Sequence, residues 1–494
     1  MKGSRLDAPL LTGLAALIAW LILFWSGPLI NDPAWQLWIG RQINAGATLY
    51  GDILEVNPPL WFWIGAGIER LPGLSGIHWL AVAFAAYGAA ALTVALRLVE
   101  DRAQRWAIVL GLAATLFLTS PYAHLQREQF LLMSVLPYLA LTARRAEGEP
   151  VGRGIAFTAG LLAAPGLALK HHFLLFPAVL EGWLLWRRRR FDIRPEHLAL
   201  AAGALAYAAA VLLFAPTYLG TMLPLLRASY HGYNPPLWTL FIQPALVVAV
   251  FALVAALLRR GKLSPLAGAA AAGTLAFGLV FILQGKDFHY QAIPALGLAL
   301  VTMVAILLDR QSRDGRLIAL LGIAVALMVP FKAGGARHDR VFVAAVSGLK
   351  PGEGVAMISA SQALAWPAMY ERDLRYRART MGLWMVLSPW QAELARSGDP
   401  TMAALGTAVR REQAAEIACH RPALVVIDTR YKEEVPGGDL LNWFLAEPRF
   451  RDALAGYRET QATDYLRRFV PAGGRGGTCV VSDLTAVTRP LPGL

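Results

Sequence analysis

The sequence predicts a multispanning α-helical membrane protein with about eleven transmembrane helices, followed by a soluble α/β domain. Of its 494 residues, 56% are apolar and only 16% are charged, whereas about a quarter of the residues in soluble domains are charged. Long apolar runs recur through residues 1–336, and residues 337–494 are mixed and charged. The net charge of +13 comes from basic loops without a nucleic-acid motif, so no nucleic-acid partner is expected.

The apolar runs set the expected spans. The first begins directly after the N-terminal residues, and we interpret it as a retained span, because it is long for a signal peptide and no small-residue cleavage site precedes Asn31. The predicted spans are 9–30, 78–97, 105–119, 129–143, 154–170, 172–186, 197–216, 238–258, 264–284, 290–308 and 316–331.

Loop charge predicts the orientation. One set of loops is rich in basic residues, namely Lys2, Arg5, Arg97, Arg102, Arg105, Arg144, Arg145, Arg153, Arg187 to Arg190, Arg259, Arg260, Lys262, Arg310, Arg313 and Arg316. The alternate loops hold fewer, namely Arg41, Arg70, Arg127, Lys170, Arg227 and Lys286. The positive-inside rule therefore places the N-terminus in the cytoplasm. The outer face then carries 31–77, 120–128, the turn around Lys170, 217–237 and 285–289.

An odd number of spans places residues 337–494 on the outer face as well. Strand-like runs occur at 354–361, 422–430 and 478–483, and helix-like stretches at 390–397 and 401–418. The segment 332–339 is the predicted linker between residues 1–336 and this α/β domain. Cys419 and Cys479 are the two cysteines of the chain, and in an oxidising compartment they either form a disulfide or remain two separate buried thiols.

Polar residues of several types gather at the span ends of the predicted outer face. They are Asp32, Asp52, Glu55, Asn57, His124, Gln126, Arg127, Glu128, Lys170, His171, His172, Tyr230, His231, Tyr233, Asn234, Gln284, Lys286, Asp287, His289 and Tyr290. Ionisable groups at membrane depth cost about 2.5–3.5 kcal/mol each on insertion scales. Their concentration on one face therefore indicates a functional site there.

Each residue also has a simpler interpretation. Asp32 precedes Pro33 and a helix-like run, as a helix-capping residue does. Lys170 has a side chain long enough to reach the membrane interface, and a single histidine is usually an ordinary hydrogen-bonding residue. What favours a shared site is the coincidence of all these residues on one face.

The chemistry of such a set fits group transfer to a hydroxyl or amine. A carboxylate near the start of the first loop can act as a general base. Lys170 with His171 or His172 can hold a phosphate, and so can Lys286 with His289. Glu128 can orient an acceptor or help to bind a divalent cation.

The first loop, "NDPAWQLWIGRQINAGATLYGDILEVNPPLWFWIGAGIERL", resembles that of GT-C membrane glycosyltransferases. The likeness is greatest to the branch of protein O-mannosyltransferases and lipid A aminoarabinose transferases. The matching positions are Asp32, Tyr50, Asp52, Asn57, Pro58, Pro59 and Leu60. Weaker likenesses occur at 120–132, 166–180 and 284–297, and residues 337–494 match the family only in being outside and variable.

The resemblance implies an inverting enzyme of a bacterial inner membrane, with its outer face and residues 337–494 in the periplasm. It would transfer a sugar from a polyprenyl-phosphate donor to a glycolipid, polysaccharide or protein. Asp32 would be the base and Glu128 a second catalytic carboxylate. The implied donor-phosphate ligands are Lys170, His171, His172, Lys286, His289 and Tyr290. The acceptor or loop contacts would be Tyr50, Asp52, Glu55, Asn57, His231 and Asn234.

The sequence departs from the family at two points. Many relatives carry two adjacent acids at the loop start, whereas Pro33 follows Asp32 here, and Lys286 and His289 stand where an arginine is common. A divalent cation, Mg²⁺ or Mn²⁺, is therefore left as an open option, without assigned ligands.

Three other functions remain open at the level of sequence. A transporter or flippase would favour ionisable residues at the bilayer midplane and repeated halves, neither of which the sequence suggests. A polysaccharide polymerase or ligase usually centres on a large late loop, whereas here the first loop is the richest in polar residues. A non-catalytic glycolipid-binding protein would differ only in lacking activity.

Overall fold

The structure is a computed structural model that describes residues 7–27, 29–259, 261–310, 313–330, 339–361, 363–429, 438–463, 465–473 and 476–490. The predicted linker 332–339 lies outside these ranges except for Asp339. The chain forms two compact units. We call Met1–Leu29, Leu71–Leu213 and Pro235–Ala336 the helical unit, and Ile30–Arg70, Phe214–Asn234 and Arg337–Leu494 the mixed unit.

The helical unit consists of apolar helices joined by short turns. Its helices are Ala8–Leu23, Gly76–Leu98, Arg102–Ala123, Arg127–Glu147, Arg153–Ala168, Leu175–Arg188, Pro195–Phe214, Leu237–Phe241, Pro244–Leu258, Pro265–Gln284, Ile293–Leu308 and Arg316–Ala326. Single 3-10 turns precede two of them, at His171–Leu174 and His289–Ala292.

Five helices within the described ranges are long and apolar enough to cross a membrane. They are Gly76–Leu98, Arg102–Ala123, Pro195–Phe214, Pro265–Gln284 and His289–Leu308. Four shorter apolar helices accompany them, at Ala8–Leu23, Arg153–Ala168, Pro244–Leu258 and Arg316–Ala326. The helices thus have the length and composition of a membrane protein, and the count of eleven spans stays a prediction.

The helix Arg127–Glu147 forms the core of the helical unit, because every residue from Arg127 to Ala143 is buried. It packs against Gly76–Leu98, Arg153–Ala168 and Pro265–Gln284. Its serine and threonine hydroxyls are satisfied within the helix, because Ser134 Oγ donates to Phe130 O at 2.7 Å and Thr142 Oγ1 donates to Tyr138 O at 2.9 Å. The apolar run predicted only 129–143 because charged residues occupy both ends of the helix.

At the other end of this helix, basic residues that the sequence assigned to loops are paired. Arg145 donates to both carboxylate oxygens of Glu196, at 3.2 Å each, and Tyr138 donates its hydroxyl to Glu181 at 2.8 Å. Arg194 pairs with both glutamates. These contacts join the helices Arg127–Glu147, Leu175–Arg188 and Pro195–Phe214, so this charge is structural.

The mixed unit contains a five-stranded sheet. Its strands are β1 (Gly354–Ile358), β2 (Arg375–Tyr376), β3 (Leu424–Asp428), β4 (Tyr457–Ala462) and β5 (Leu466–Pro471). They lie in the order β2-β1-β3-β5-β4, with β1 parallel to β2 and β3, and with β5 antiparallel to β3 and β4. The core strands β1 and β3 confirm two of the predicted strands.

The third predicted strand, 478–483, is wrong. Val481–Thr488 forms a 3-10 helix, and the last strands of the sheet are instead the hairpin of β4 and β5. An apolar run alone does not distinguish a strand from a segment that packs against a helix. Here the run packs on the helix Pro400–His420, and Cys479 forms a disulfide with Cys419 of that helix.

Helices of 4 to 21 residues complete the mixed unit. They are Asn31–Asn44, Leu60–Ile68, Leu223–Ser229, Arg340–Val346, Ala368–Glu371, Leu387–Leu394, Pro400–His420, Leu440–Leu445 and Pro448–Leu454. Leu387–Leu394 and Pro400–His420 confirm the helices predicted at 390–397 and 401–418. The first two lie in the first loop, on either side of Pro58 and Pro59.

One hydrophobic core holds the three segments of the mixed unit together. Tyr50 and Leu54 of the first loop and Leu225 of the segment 214–234 are buried in the same cluster as Ile358 and Val425 of the sheet. From the sequence we expect 31–77 to be an outer loop of residues 1–336 rather than a part of the α/β domain. Contacts between residues more than 300 positions apart, such as Arg379 with Gly51, create this grouping. Such contacts cannot be recognised from a local sequence pattern.

Candidate functional site

Three turns of the helical unit converge on Lys170. The nitrogen Nζ of Lys170 lies 3.0 Å from Oε1 of Glu128 and 3.0 Å from Oε1 of Gln284. Glu128 is in the first turn of Arg127–Glu147, Lys170 follows Arg153–Ala168, and Gln284 ends Pro265–Gln284. The three predicted turns therefore share one end of the helical unit. We call Arg127, Glu128, Lys170 and Gln284 the turn cluster.

The turn cluster is buried and carries an excess of positive charge. Arg127 Nε lies 3.7 Å from Glu128 Oε1, so this carboxylate faces two cations. The side chain of Glu128 is fully buried, and its second oxygen, Oε2, has no hydrogen-bond partner among the described residues. Electrostatic interactions are stronger at such a site than in water, because few water molecules screen them.

Lys286 and His289 occupy the turn between Pro265–Gln284 and Ile293–Leu308. Lys286 is only 5% exposed, and this burial lowers its pKa to about 8. His289 Nδ1 lies 2.8 Å from Gln243 Oε1, and Gln243 donates to Asp287 O. Tyr290 stacks on Phe288. Contacts with Gln243 and between its own aromatic rings thus hold this turn. Within it, Lys286 lies two residues beyond Gln284.

His171 and His172 follow Lys170 in a 3-10 turn, with ring centroids 3.8 Å apart. His171 is exposed and His172 half-buried. His124 and Gln126 are both buried, and they shortly precede Arg127 in the sequence. His124 stacks on Phe24. The histidines therefore add hydrogen-bonding groups at these turns.

Asp32 lies in the first turn of Asn31–Asn44, but it is not the residue that caps this helix. Ile30 occupies the N-cap position and makes no side-chain hydrogen bond to the helix. The Asp32 carboxylate accepts from Asn31 Nδ2 at 3.4 Å. A carboxylate in the first turn is still favoured by the helix dipole, so a structural contribution remains.

Glu55 is a buried anchor of the first loop. Its carboxylate accepts from Trp35 Nε1 at 2.5 Å, from Asn57 N at 3.0 Å and from Asn57 Nδ2 at 2.7 Å. Trp35 stacks on Trp38, and both rings meet the edge of Trp366. Glu55 thus joins the helix carrying Asp32 to the Pro58–Pro59 turn.

Asp52 and Tyr50 shape the tight part of the same loop. Asp52 Oδ2 accepts from Thr48 N at 2.8 Å and from Thr48 Oγ1 at 2.7 Å, and these bonds lower the pKa of the Asp52 carboxyl. Tyr50 has a φ of 69° and donates its hydroxyl to Asn57 O at 2.6 Å. Their polar groups bind the loop itself, as expected for residues that maintain its conformation.

His231 and Asn234 are exposed at the 3-10 turn Tyr230–Tyr233 of the mixed unit. Together with Asp32, Tyr50, Asp52, Glu55 and Asn57 they belong to that unit, whereas the turn cluster, the His171–His172 pair and Lys286 to Tyr290 belong to the helical unit.

A buried charge cluster around Arg379 is absent from the sequence-based expectations. Arg379 Nη1 donates to Glu412 Oε2 at 3.2 Å, its Nη2 donates to Gly51 O, and its carbonyl accepts from Leu54 N at 2.7 Å. Burial raises the pKa of Glu412 to about 7, and burial together with repulsion by Glu412 raises that of Glu416 to about 8. The cluster could have been recognised from Glu412 and Glu416, because their four-residue spacing in a helix places both on one buried face.

Within the described ranges, no three His, Cys, Asp or Glu side chains come together to hold a metal ion. Comparison of the chain with protein-family models found no match. Comparison with curated proteins found no match either.

Proposed function

We propose that this chain is an inverting membrane glycosyltransferase of the GT-C type. It would move a sugar from a polyprenyl-phosphate donor to a glycan, lipid or protein acceptor at the periplasmic face of a bacterial inner membrane. About eleven spans, a cytoplasmic N-terminus and a periplasmic C-terminal region complete this proposal. The observation that carries it is the turn cluster, in which two cations and a carboxylate are buried at helix ends.

The cations suit the leaving group of this reaction. A polyprenyl phosphate gains negative charge as the bond to the sugar breaks, so it needs cations rather than an acid. Lys170 and Arg127 offer that charge in a buried setting, and Lys286 stands two residues beyond Gln284. An incoming phosphate would compete with Glu128 for Lys170 Nζ, because both are anions that accept from the same ammonium group.

Asp32 is the proposed base. The acceptor hydroxyl gives its proton to the Asp32 carboxylate while its oxygen bonds to the anomeric carbon. The bond from that carbon to the phosphate oxygen breaks, and its electron pair stays on the phosphate. General bases contribute roughly 10²–10⁴-fold to such reactions. Glu55 supports this role, because it fixes Trp35, three residues after Asp32 on the same helix.

The position of the charges favours this function over transport. The turn cluster lies at helix ends, whereas transporters commonly bind their substrates near the bilayer midplane on interrupted helices. Glycans and glycolipids of the cell envelope, measured by mass spectrometry with and without the gene, test the proposal. We expect the deletion to remove one sugar residue of defined mass, and restoration of the gene to return it. Unchanged envelope glycans would contradict transferase function.

A further inference from the structure

An open groove of about 640 Å³, lined by both polar and apolar side chains, lies within the mixed unit, between the segment 214–234 and the helices Leu387–Leu394 and Pro400–His420. Ligand pockets commonly enclose about 300–1,000 Å³, so a short stretch of glycan is the right size for it. One wall presents Arg227 and His231, and the other presents Gln391, Ser397 and Asp399.

The two walls are joined rigidly. Ser388 Oγ accepts from Gly232 N at 3.1 Å and donates to Ser229 O at 2.5 Å. The approach is close enough to require glycine, because a Cβ on Gly232 would lie 2.8 Å from Ser388 Oγ and 2.9 Å from Leu387 Cβ. The groove is therefore a fixed feature of this fold.

The first wall carries the charged side chain of Arg227. Arg227 is in the last turn of the helix Leu223–Ser229 and His231 is in the 3-10 turn that follows it, and both line the groove. Both are exposed, and neither side chain has a hydrogen-bond or ion-pair partner in the part of the chain that the structure describes. The planar guanidinium of arginine matches a carboxylate with two parallel hydrogen bonds.

The second wall is suited to sugar hydroxyls, which both donate and accept hydrogen bonds. Gln391 carries an amide, Ser397 a hydroxyl and Asp399 a carboxylate. Asp399 Oδ1 is held in place by Thr401 N at 2.8 Å and Met402 N at 3.2 Å. A ligand that matches both walls has an anionic group on one side and hydroxyl groups on the other, as an acidic sugar does.

We propose that this groove binds an acidic glycan, with a uronate carboxylate on Arg227 and sugar hydroxyls on Gln391 and Asp399. The identification of this glycan as the acceptor rests on the proposed transferase function, whereas its binding does not.

The test is a titration of the full chain in lipid nanodiscs with trigalacturonate and with the neutral trisaccharide maltotriose. We expect trigalacturonate to bind at least about 10-fold more tightly than maltotriose, because a charge-assisted pair forms only with the uronate. Arg227→Ala should abolish this preference. Arg458→Ala, which removes an exposed arginine from β4, is the matched control and should keep it.

Three results would overturn the proposal. They are equal affinity for the two trisaccharides, equal behaviour of the two arginine variants, and displacement of trigalacturonate by similar concentrations of inorganic phosphate. If the full chain binds trigalacturonate but shows no transferase activity in cells, only the proposed function is contradicted. If it is active in cells but does not bind trigalacturonate, only the proposal that the groove binds an acidic glycan is contradicted.

Discussion

Lys170 Nζ lies 3.0 Å from Glu128 Oε1, although 42 residues separate them along the chain. The side chain of Glu128 is fully buried and that of Lys170 is 9% exposed, so each charge depends on the other. Removing one partner of a buried pair typically costs about 3–5 kcal/mol, because the remaining charge is left uncompensated. This relationship makes it possible to separate a structural role from a role in donor binding.

We predict that Lys170→Met lowers the melting temperature of the protein in detergent and that Lys170→Met/Glu128→Gln restores most of the loss. Both variants should lose affinity for a polyprenyl-phosphate analogue, by about 10-fold or more, because the cation that meets the phosphate is gone. Lys262→Met is the control, since Lys262 forms an exposed pair with Asp314. A double variant that is stable and binds the analogue normally would leave Lys170 with a purely structural role.

Glu55→Gln should destabilise the first loop. A glutamine cannot accept from Trp35 Nε1 and from both Asn57 donors at once, so at least one buried donor loses its partner. The expected loss is about 1–3 kcal/mol, measured as a shift in thermal unfolding. Asp452→Asn removes an exposed carboxylate from the same unit and should leave the unfolding curve in place. Equal curves for the two variants would mean that Glu55 does not anchor the loop.

Stability should fall as pH rises from about 5 to 9 because of Glu412 and Glu416. Their carboxyl groups, with pKa values raised to about 7 and about 8, hold protons more tightly in the folded chain than in the unfolded chain, where the value is 4.5. This contribution is complete below pH 4.5 and is lost as pH passes through about 7 to 8. Thermal unfolding across this range should show a smaller fall for Glu416→Gln than for the natural chain. The same fall in both would contradict the raised pKa of Glu416.

The disulfide between Cys419 and Cys479 closes a long loop, with a sequence separation of 60. A cross-link of this kind commonly stabilises a protein by about 2–4 kcal/mol, since it restricts the unfolded chain. A reducing agent should therefore lower the melting temperature of the natural chain. The double variant Cys419→Ser/Cys479→Ser should melt at the lower temperature and not respond to the reducing agent. A natural chain that ignores the reducing agent after verified reduction would refute this prediction.

Local sequence patterns predicted the structural features that depend on residues close together in the sequence. Apolar runs located the helices of the helical unit, and charge alternation grouped the turns that hold Glu128, Lys170 and Gln284. The contact between Lys170 and Gln284 spans 114 residues and has no local signature. The same holds for Arg379 and Gly51, whose contact makes the first loop part of the mixed unit. The run at 478–483 was misassigned because its apolar residues pack on a helix, which hydrophobicity alone does not distinguish from a sheet.

The most direct measurement compares Asp32→Asn with Asp314→Asn in cells that lack the natural gene. Asp32 is half-buried in the first turn of its helix, and Ile30 rather than Asp32 holds the N-cap position. The exchange keeps the size of the side chain and removes its capacity to take a proton. We predict normal membrane levels for both variants, and for Asp32→Asn a loss of stability no larger than that of one charge–dipole interaction, about 0.3–1 kcal/mol. The transfer rate should fall by a factor of roughly 10² or more with Asp32→Asn. The envelope sugar should therefore be missing only in cells that carry this variant. Full transfer by Asp32→Asn, or unfolding of this variant, would contradict the assignment of Asp32 as the base.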